Sequence, residues 1–146
     1  MKGLCCILPL VLMFTCTALC QAGNDARNEK VRAKVNGIVQ VARDILAGRN
    51  LEKAGSSVAS GARLIDGRKF EYLRSVLTGG AAACPLADTS YQMVMVEAET
   101  SNGDDMGFLR IKTRQTPDTA RVRFHSIVFR QDSTGEYKIV NWHTSE

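Results

Sequence analysis

Apolar residues recur at three- and four-residue steps through residues 28–47. Val31, Val35, Ile38, Val39, Ala42, Ile45 and Leu46 form one stripe, with Lys30, Lys34, Arg43 and Asp44 mostly between them. That spacing predicts an amphipathic helix with one core-facing side. Asp25 suits its cap, and Gly48 stands where a left-handed C-terminal residue belongs. Residues 51–67 are ambiguous: 51–54 suit a helical turn and 57–65 a short strand, ended by Asp66-Gly67. Phe70, Leu73, Val76 and Leu77 read as a second helical stripe, closed by Gly79-Gly80 and followed by a loop over 81–88. From residue 91 the chain turns to runs of β-branched, Met and aromatic residues. Strands are predicted over 91–100, 108–114, 122–130 and 137–145, separated by Asn102-Gly103, Thr116-Pro117-Asp118 and residues 132–135. Helices followed by two antiparallel hairpins define an α+β class.

The first residues carry a different pattern. Met1-Lys2-Gly3 gives one positive charge, residues 7–19 are apolar, and Cys20-Gln21-Ala22 places small residues before a cut after Ala22. This is the layout of a secretory signal peptide, too short for a comfortable membrane span. The expected organisation is residues 1–22 as signal and 23–146 as one secreted domain. Composition agrees: 45% hydrophobic and 23% charged residues suit a globular chain. A domain of that size buries roughly two-thirds of its unfolded surface, enough for a core without staples. Five cysteines become one, Cys84, once the signal is removed, so a disulfide scaffold is excluded and a buried thiol expected. The net charge of +4 comes without a basic run, and no N-x-S/T sequon occurs. Nucleic-acid binding and N-glycosylation are not expected. No cofactor is expected either: Gly-rich phosphate cradle, nucleophile elbow and metal-ligand spacing are all missing from the sequence.

Pairing residues 122–130 with 137–145 through an even-numbered turn sorts the last hairpin into two faces. One carries Val122, Phe124, Ser126 and Val128 with Ile139, Asn141, His143 and Ser145. The other carries Arg123, His125, Ile127 and Phe129 with Val140 and Trp142, His125 lying across from Trp142. If the first face is concave, Ser126, Asn141 and His143 form a small polar cluster in an apolar cup, the usual look of a ligand pocket. Glu97 and Glu99 share a face with Tyr91, Met93, Met95, Phe108, Arg110 and Lys112. That face reads either as solvated ion pairs or as a dimer surface.

Three segments of this sequence resemble a known family: Val122-Arg123-Phe124, Val128-Phe129-Arg130 and Gly135-Glu136-Tyr137-Lys138-Ile139-Val140-Asn141-Trp142-His143-Thr144-Ser145. They are similar to the C-terminal hairpin of SnoaL-like proteins, of the nuclear transport factor 2-like superfamily. The closing pattern there is G-x-W-x-I-x-x-x-H-x-S. Tyr137 stands where Trp is usual, while Ile139, His143 and Ser145 match. The association domain of calcium/calmodulin-dependent protein kinase type II has a similar ending. Residues 61–70 also look like the group's strand-turn-helix segment.

The resemblance implies a cone-shaped, curved antiparallel sheet wrapped around a long N-terminal helix, with a pocket at the open end. It also implies a homodimer through the outer sheet face. Family members include isomerases, dehydratases, cyclases, binding modules and assembly domains, so the fold does not decide function. The leading expectation is a secreted domain holding a small apolar or amphipathic ligand without catalysis. Ser126, Asn141, His143 and Tyr137 would line the ligand site. One alternative is an isomerase or dehydratase with His143 as base. Another is a secreted dimeric interaction module. A cystatin-type inhibitor fits less well, because residues 56–60 lack its Gln and Gly and the disulfide pair is missing.

Overall fold

The computed structural model describes residues 7–117 and 121–146, with side chains from residue 26 onward. The expected signal peptide falls partly outside the described residues, at 1–6, and is given by backbone alone beyond them. Among the described residues, no helix is long and apolar enough to cross a membrane. The chain divides into two units, residues 1–33 and residues 34–146. The described part of the first unit is helical. It belongs to α1 (Ile7–Leu46), whose last thirteen residues lie in the second unit.

The second unit holds all other elements. After α1 come α2 (Leu51–Ser56), β1 (Val58–Asp66), β2 (Lys69–Tyr72) and α3 (Leu73–Thr78). Four long strands follow: β3 (Tyr91–Thr100), β4 (Met106–Gln115), β5 (Val122–Gln131) and β6 (Tyr137–Ser145). They form one unclosed sheet in the order β2-β1-β6-β5-β4-β3. All neighbours run antiparallel except β1 and β6, which are parallel and joined by the chain's long excursion through β2 to β5.

The stripe on α1 does what its spacing requires. Ile38, Ala42 and Ile45 are buried against the sheet, with Val35, Val39 and Leu46 partly so. From the sheet come Leu64, Leu109, Ile111, Ile127, Phe129, Ile139 and Trp142. Burial of this apolar surface is the main force holding helix to sheet. Gly48 ends the helix with φ +64°, a left-handed turn that a side chain would strain. Cys84 is buried with its thiol free, and burial pushes its pKa up, which disfavours the thiolate form.

Three local expectations are corrected. Phe70 is not on a helix: residues 69–72 hydrogen-bond to β1, and Phe70 is more than half exposed. The helical steps hold only from Leu73, through Leu77, both buried. The turn at Asn102-Gly103 is not a two-residue hairpin. Thr100 and Gly107 make the last pair, and Asp104, not Gly103, takes positive φ. Its wider loop is tied down by Ser101 Oγ donating to Asp105 and by Tyr137 Oη donating to the Asp104 carbonyl at 2.6 Å.

The third correction is the register of the last hairpin. His125 pairs with Thr144, not Trp142, and Ile127 pairs with Trp142. Between Val128 and Phe129 the register shifts, leaving Val140 unpaired. An extra residue in one strand reverses which way later side chains point. So Tyr137 and Ile139 point inward, and past the bulge Trp142 and Thr144 do too. A second irregularity lies between Met93 and Met95 in β3.

Candidate ligand-binding site

The inner face of the sheet changes character along its length. Phe129, Ile139, Ile127, Trp142 and Leu109 fill one part and are fully buried. Further along stand the buried polar residues Thr113, His125 and Thr144. Register places Thr113 beside Arg123 and Ile111 beside His125 on β4 and β5. Here a cavity of about 620 Å³ opens. Its walls come from the end of α1 (Leu46, Ala47), the loop before β3 (Leu86, Asp88) and β3 itself, notably Met93 and Val96. The bulge in β3 explains why Tyr91 and Met93 serve the cavity while Glu97 and Glu99 face outward. The expected common face for these residues is thereby split.

His125 lies at the cavity floor, 2% exposed. Trp142 Nε1 donates to its Nδ1 at 3.3 Å, and the two rings meet edge to face at 5.9 Å. Its Nε2 lies 3.3 Å from Thr113 Oγ1. Burial, aided by the nearby Arg123 charge, lowers its pKa from 6.5 to about 4. The ring is therefore neutral at neutral pH.

The rim carries the charges. Arg43, Arg49 and Arg123 line it with Asp88. Arg123 lies 4.2 Å above the Tyr91 ring, donates to Glu146 at 2.7 Å and reaches Asp88 at 3.5 Å. The Ser90 hydroxyl donates to Asp88 and, with Arg123, holds that carboxyl below its ordinary range. Arg49 stands 3.9 Å from Asp44. Among the described residues no group of His, Cys, Asp and Glu is placed to hold a metal ion.

The four residues expected from the sequence stand elsewhere. Ser126 and His143 are directly paired across β5 and β6 and are exposed on the outer face, opposite the cavity. Asn141 pairs with Val128, and its Oδ1 is buried without a hydrogen-bond partner among the described residues. Tyr137 points inward but packs on Phe129, edge to face at 4.9 Å, at the far end of the hairpin. None of the four lines the cavity. Polar groups reach the cavity from Thr113 and His125 at its floor and from Arg43, Arg49, Asp88, Thr89 and Arg123 nearer the rim. The alternation in residues 122–130 sets His125 and Arg123 on one face with Ile127 and Phe129. Nothing in the sequence marked Thr113.

The last turns of α1 packed on a curved, open, mostly antiparallel sheet, with a cavity at one end, make the nuclear transport factor 2-like fold. Three solved structures illustrate the likeness. A nuclear transport factor 2-like protein with a cystatin-like fold from Novosphingobium aromaticivorans is 14% identical, with TM-score 0.62, covering 86% of this chain and 88% of its own. A ketosteroid isomerase-like protein from Erwinia carotovora atroseptica is 15% identical, with TM-score 0.55, covering 81% and 96%. ActVI-ORFA from Streptomyces coelicolor is 11% identical, with TM-score 0.50, covering 80% and 96%. No protein-family model matches the sequence, and no curated protein matches it significantly.

Proposed function

We propose that this chain is an exported carrier domain that holds one small apolar or amphipathic molecule in its cavity without transforming it. The observation that carries this reading is the cavity itself. Its volume falls in the range of small-molecule sites, and its lining is amphipathic, with Leu46, Leu86, Met93 and Val96 on the walls and polar or charged groups at floor and rim. The residues of the cavity are poor acid–base catalysts. His125 has Nδ1 occupied by Trp142 and a pKa well below neutrality. Asp88 is ionised but is a weak base with its charge shared by Ser90 and Arg123. Export rests on the pattern of residues 1–22.

An isomerase-type activity is the second reading, favoured by the likeness to a ketosteroid isomerase-like structure. It calls on Asp88 as base, because His143 stands on the opposite face of the sheet.

The outer face is proposed to pair two copies. Register lays Phe70, Ile65, His143, Ser126, Arg110 and Glu97 in one row across the sheet. The next row runs Tyr72, Arg63, Asn141, Val128, Phe108 and Glu99. Phe108 and Phe124 are each nearly half exposed there. Arg63 lies at one side and Glu97 and Glu99 at the other, so two faces related by a twofold axis can set opposite charges together.

One experiment reads all three parts: native mass spectrometry of protein recovered from secretion medium. The expected species begins at Gly23, contains two copies and retains a small molecule. Val96→Trp, which fills the cavity, should lose the small molecule and stay dimeric. Phe124→Glu should keep the small molecule and become monomeric. Persistent retention by Val96→Trp would sink the cavity reading, and a product still carrying residues 1–22 would sink the export reading.

A further inference from the structure

Trp142, His125 and Thr113 form a chain of hydrogen bonds whose direction is fixed by chemistry. The indole nitrogen can only donate. It donates to Nδ1 of His125, so Nδ1 bears no proton and the neutral ring carries its proton on Nε2. That N–H points at Thr113 Oγ1, which therefore accepts. The hydroxyl proton of Thr113 is left over. Thr113 is 2% exposed, lines the cavity, and makes no other side-chain hydrogen bond among the described residues. A buried donor without an acceptor is costly, and folded proteins seldom leave one unused.

We infer that Thr113 is a specificity-determining residue that donates its hydroxyl proton to a neutral oxygen acceptor, a ketone or aldehyde carbonyl, on an otherwise apolar ligand. The inference rests on the cavity-binding reading above and narrows it to a ligand class. A carboxylate does not suit the floor. Among the described residues, the donor left at the floor is a single neutral hydroxyl, which does not offset the desolvation of an ion. The neighbouring cation, Arg123, already faces two carboxylates, Glu146 and Asp88, which offset its charge. Arg43 and Arg49 are exposed at the rim, where a charged group can stay wet. A pure hydrocarbon fills the walls but leaves the hydroxyl proton unpaired.

Fluorescence titration with 2-acetylnaphthalene and 2-ethylnaphthalene tests this, because the two differ mainly in the carbonyl. The quantity read is the ratio of their affinities, which cancels any general change in the cavity. Thr113→Val should lower the ketone-to-hydrocarbon ratio about tenfold, the worth of one hydrogen bond whose loss strands its partner. Thr113→Ser, which keeps the hydroxyl, should preserve it. Should Thr113→Val not fold, as judged by its melting curve, Thr113→Ala reads the same ratio. An unchanged ratio in the variant overturns the inference and leaves the cavity reading standing. Failure of both compounds to bind the parent protein overturns the cavity reading, and the inference with it. Binding of 2-naphthoate that falls by the same factor in Thr113→Val overturns the neutral-acceptor assignment.

Discussion

Lowering the pH from 7 to 4 is expected to cost the fold about 3 kcal/mol through His125 alone. The shift of its pKa from 6.5 to about 4 sets that scale. The sign follows from proton counting. Between these two values the unfolded chain binds a proton at this ring and the folded protein does not. Stability therefore falls as pH falls through that window and levels off below it. The structural cause is burial, and the consequence is specific. A proton on Nδ1 would set two donors, Trp142 Nε1–H and the ring N–H, against each other. Carboxylates contribute in a different window. Asp88, Asp105 and Asp132 have lowered pKa values, so their contribution is present above about pH 4 and fades below it. Urea unfolding at pH 7, 6, 5 and 4 separates the two. The parent protein should lose stability steadily over this range, and His125→Gln should be nearly flat. Equal slopes in parent and variant would show that His125 is not buried as a neutral ring.

Gly107→Ala is expected to destabilise the protein by about 2–3 kcal/mol, an unusually large effect for one methyl group. Gly107 lies in β4 between Thr100 on β3 and Phe129 on β5. A Cβ there would run into the Phe129 ring and the Glu99 carbonyl, both closer than van der Waals contact allows. Phe129 is fully buried and held by Tyr137, so it has nowhere to move, and the carbonyl belongs to the ladder itself. The need here is for close approach rather than for an unusual backbone angle, because φ at Gly107 is ordinary. Gly61→Ala is the control. Nothing lies within 4 Å of the added carbon, and its denaturation midpoint should stay within a few tenths of a kcal/mol of the parent's. A Gly107→Ala midpoint matching that of Gly61→Ala would disprove the close packing of Phe129 over this glycine.

Much of the fold was legible because its local signals agree with its tertiary ones. The stripe from Val35 to Leu46 meets the core at the expected residues. The strands at Tyr91–Thr100 and Tyr137–Ser145 have the boundaries that their composition and turns suggest. The candidate site was harder to see, and one residue explains why. A strand tells its faces apart by alternation, and alternation fails at a bulge. Val140 supplies that interruption. Counting straight through it groups Ile139 with Asn141 and His143, which turns an outward cluster into an apparent pocket. Thr113 was invisible for another reason. Its meaning comes from His125 and Trp142, brought together from two other strands, and no local pattern records that encounter.

The irregularity between Met93 and Met95 has a bearing on how this protein behaves when crowded. β3 is a ten-residue strand at the border of the sheet, with no neighbouring strand on one side among the described residues. Such a border can recruit strands from other molecules and start fibrous aggregates. Here the ladder is broken after three pairs, and Glu97 and Glu99 lie beyond the break. The opposite border, β2, has only four residues, Lys69 among them. Both borders are thus poor templates, and sheet growth from one molecule to the next is discouraged at either end.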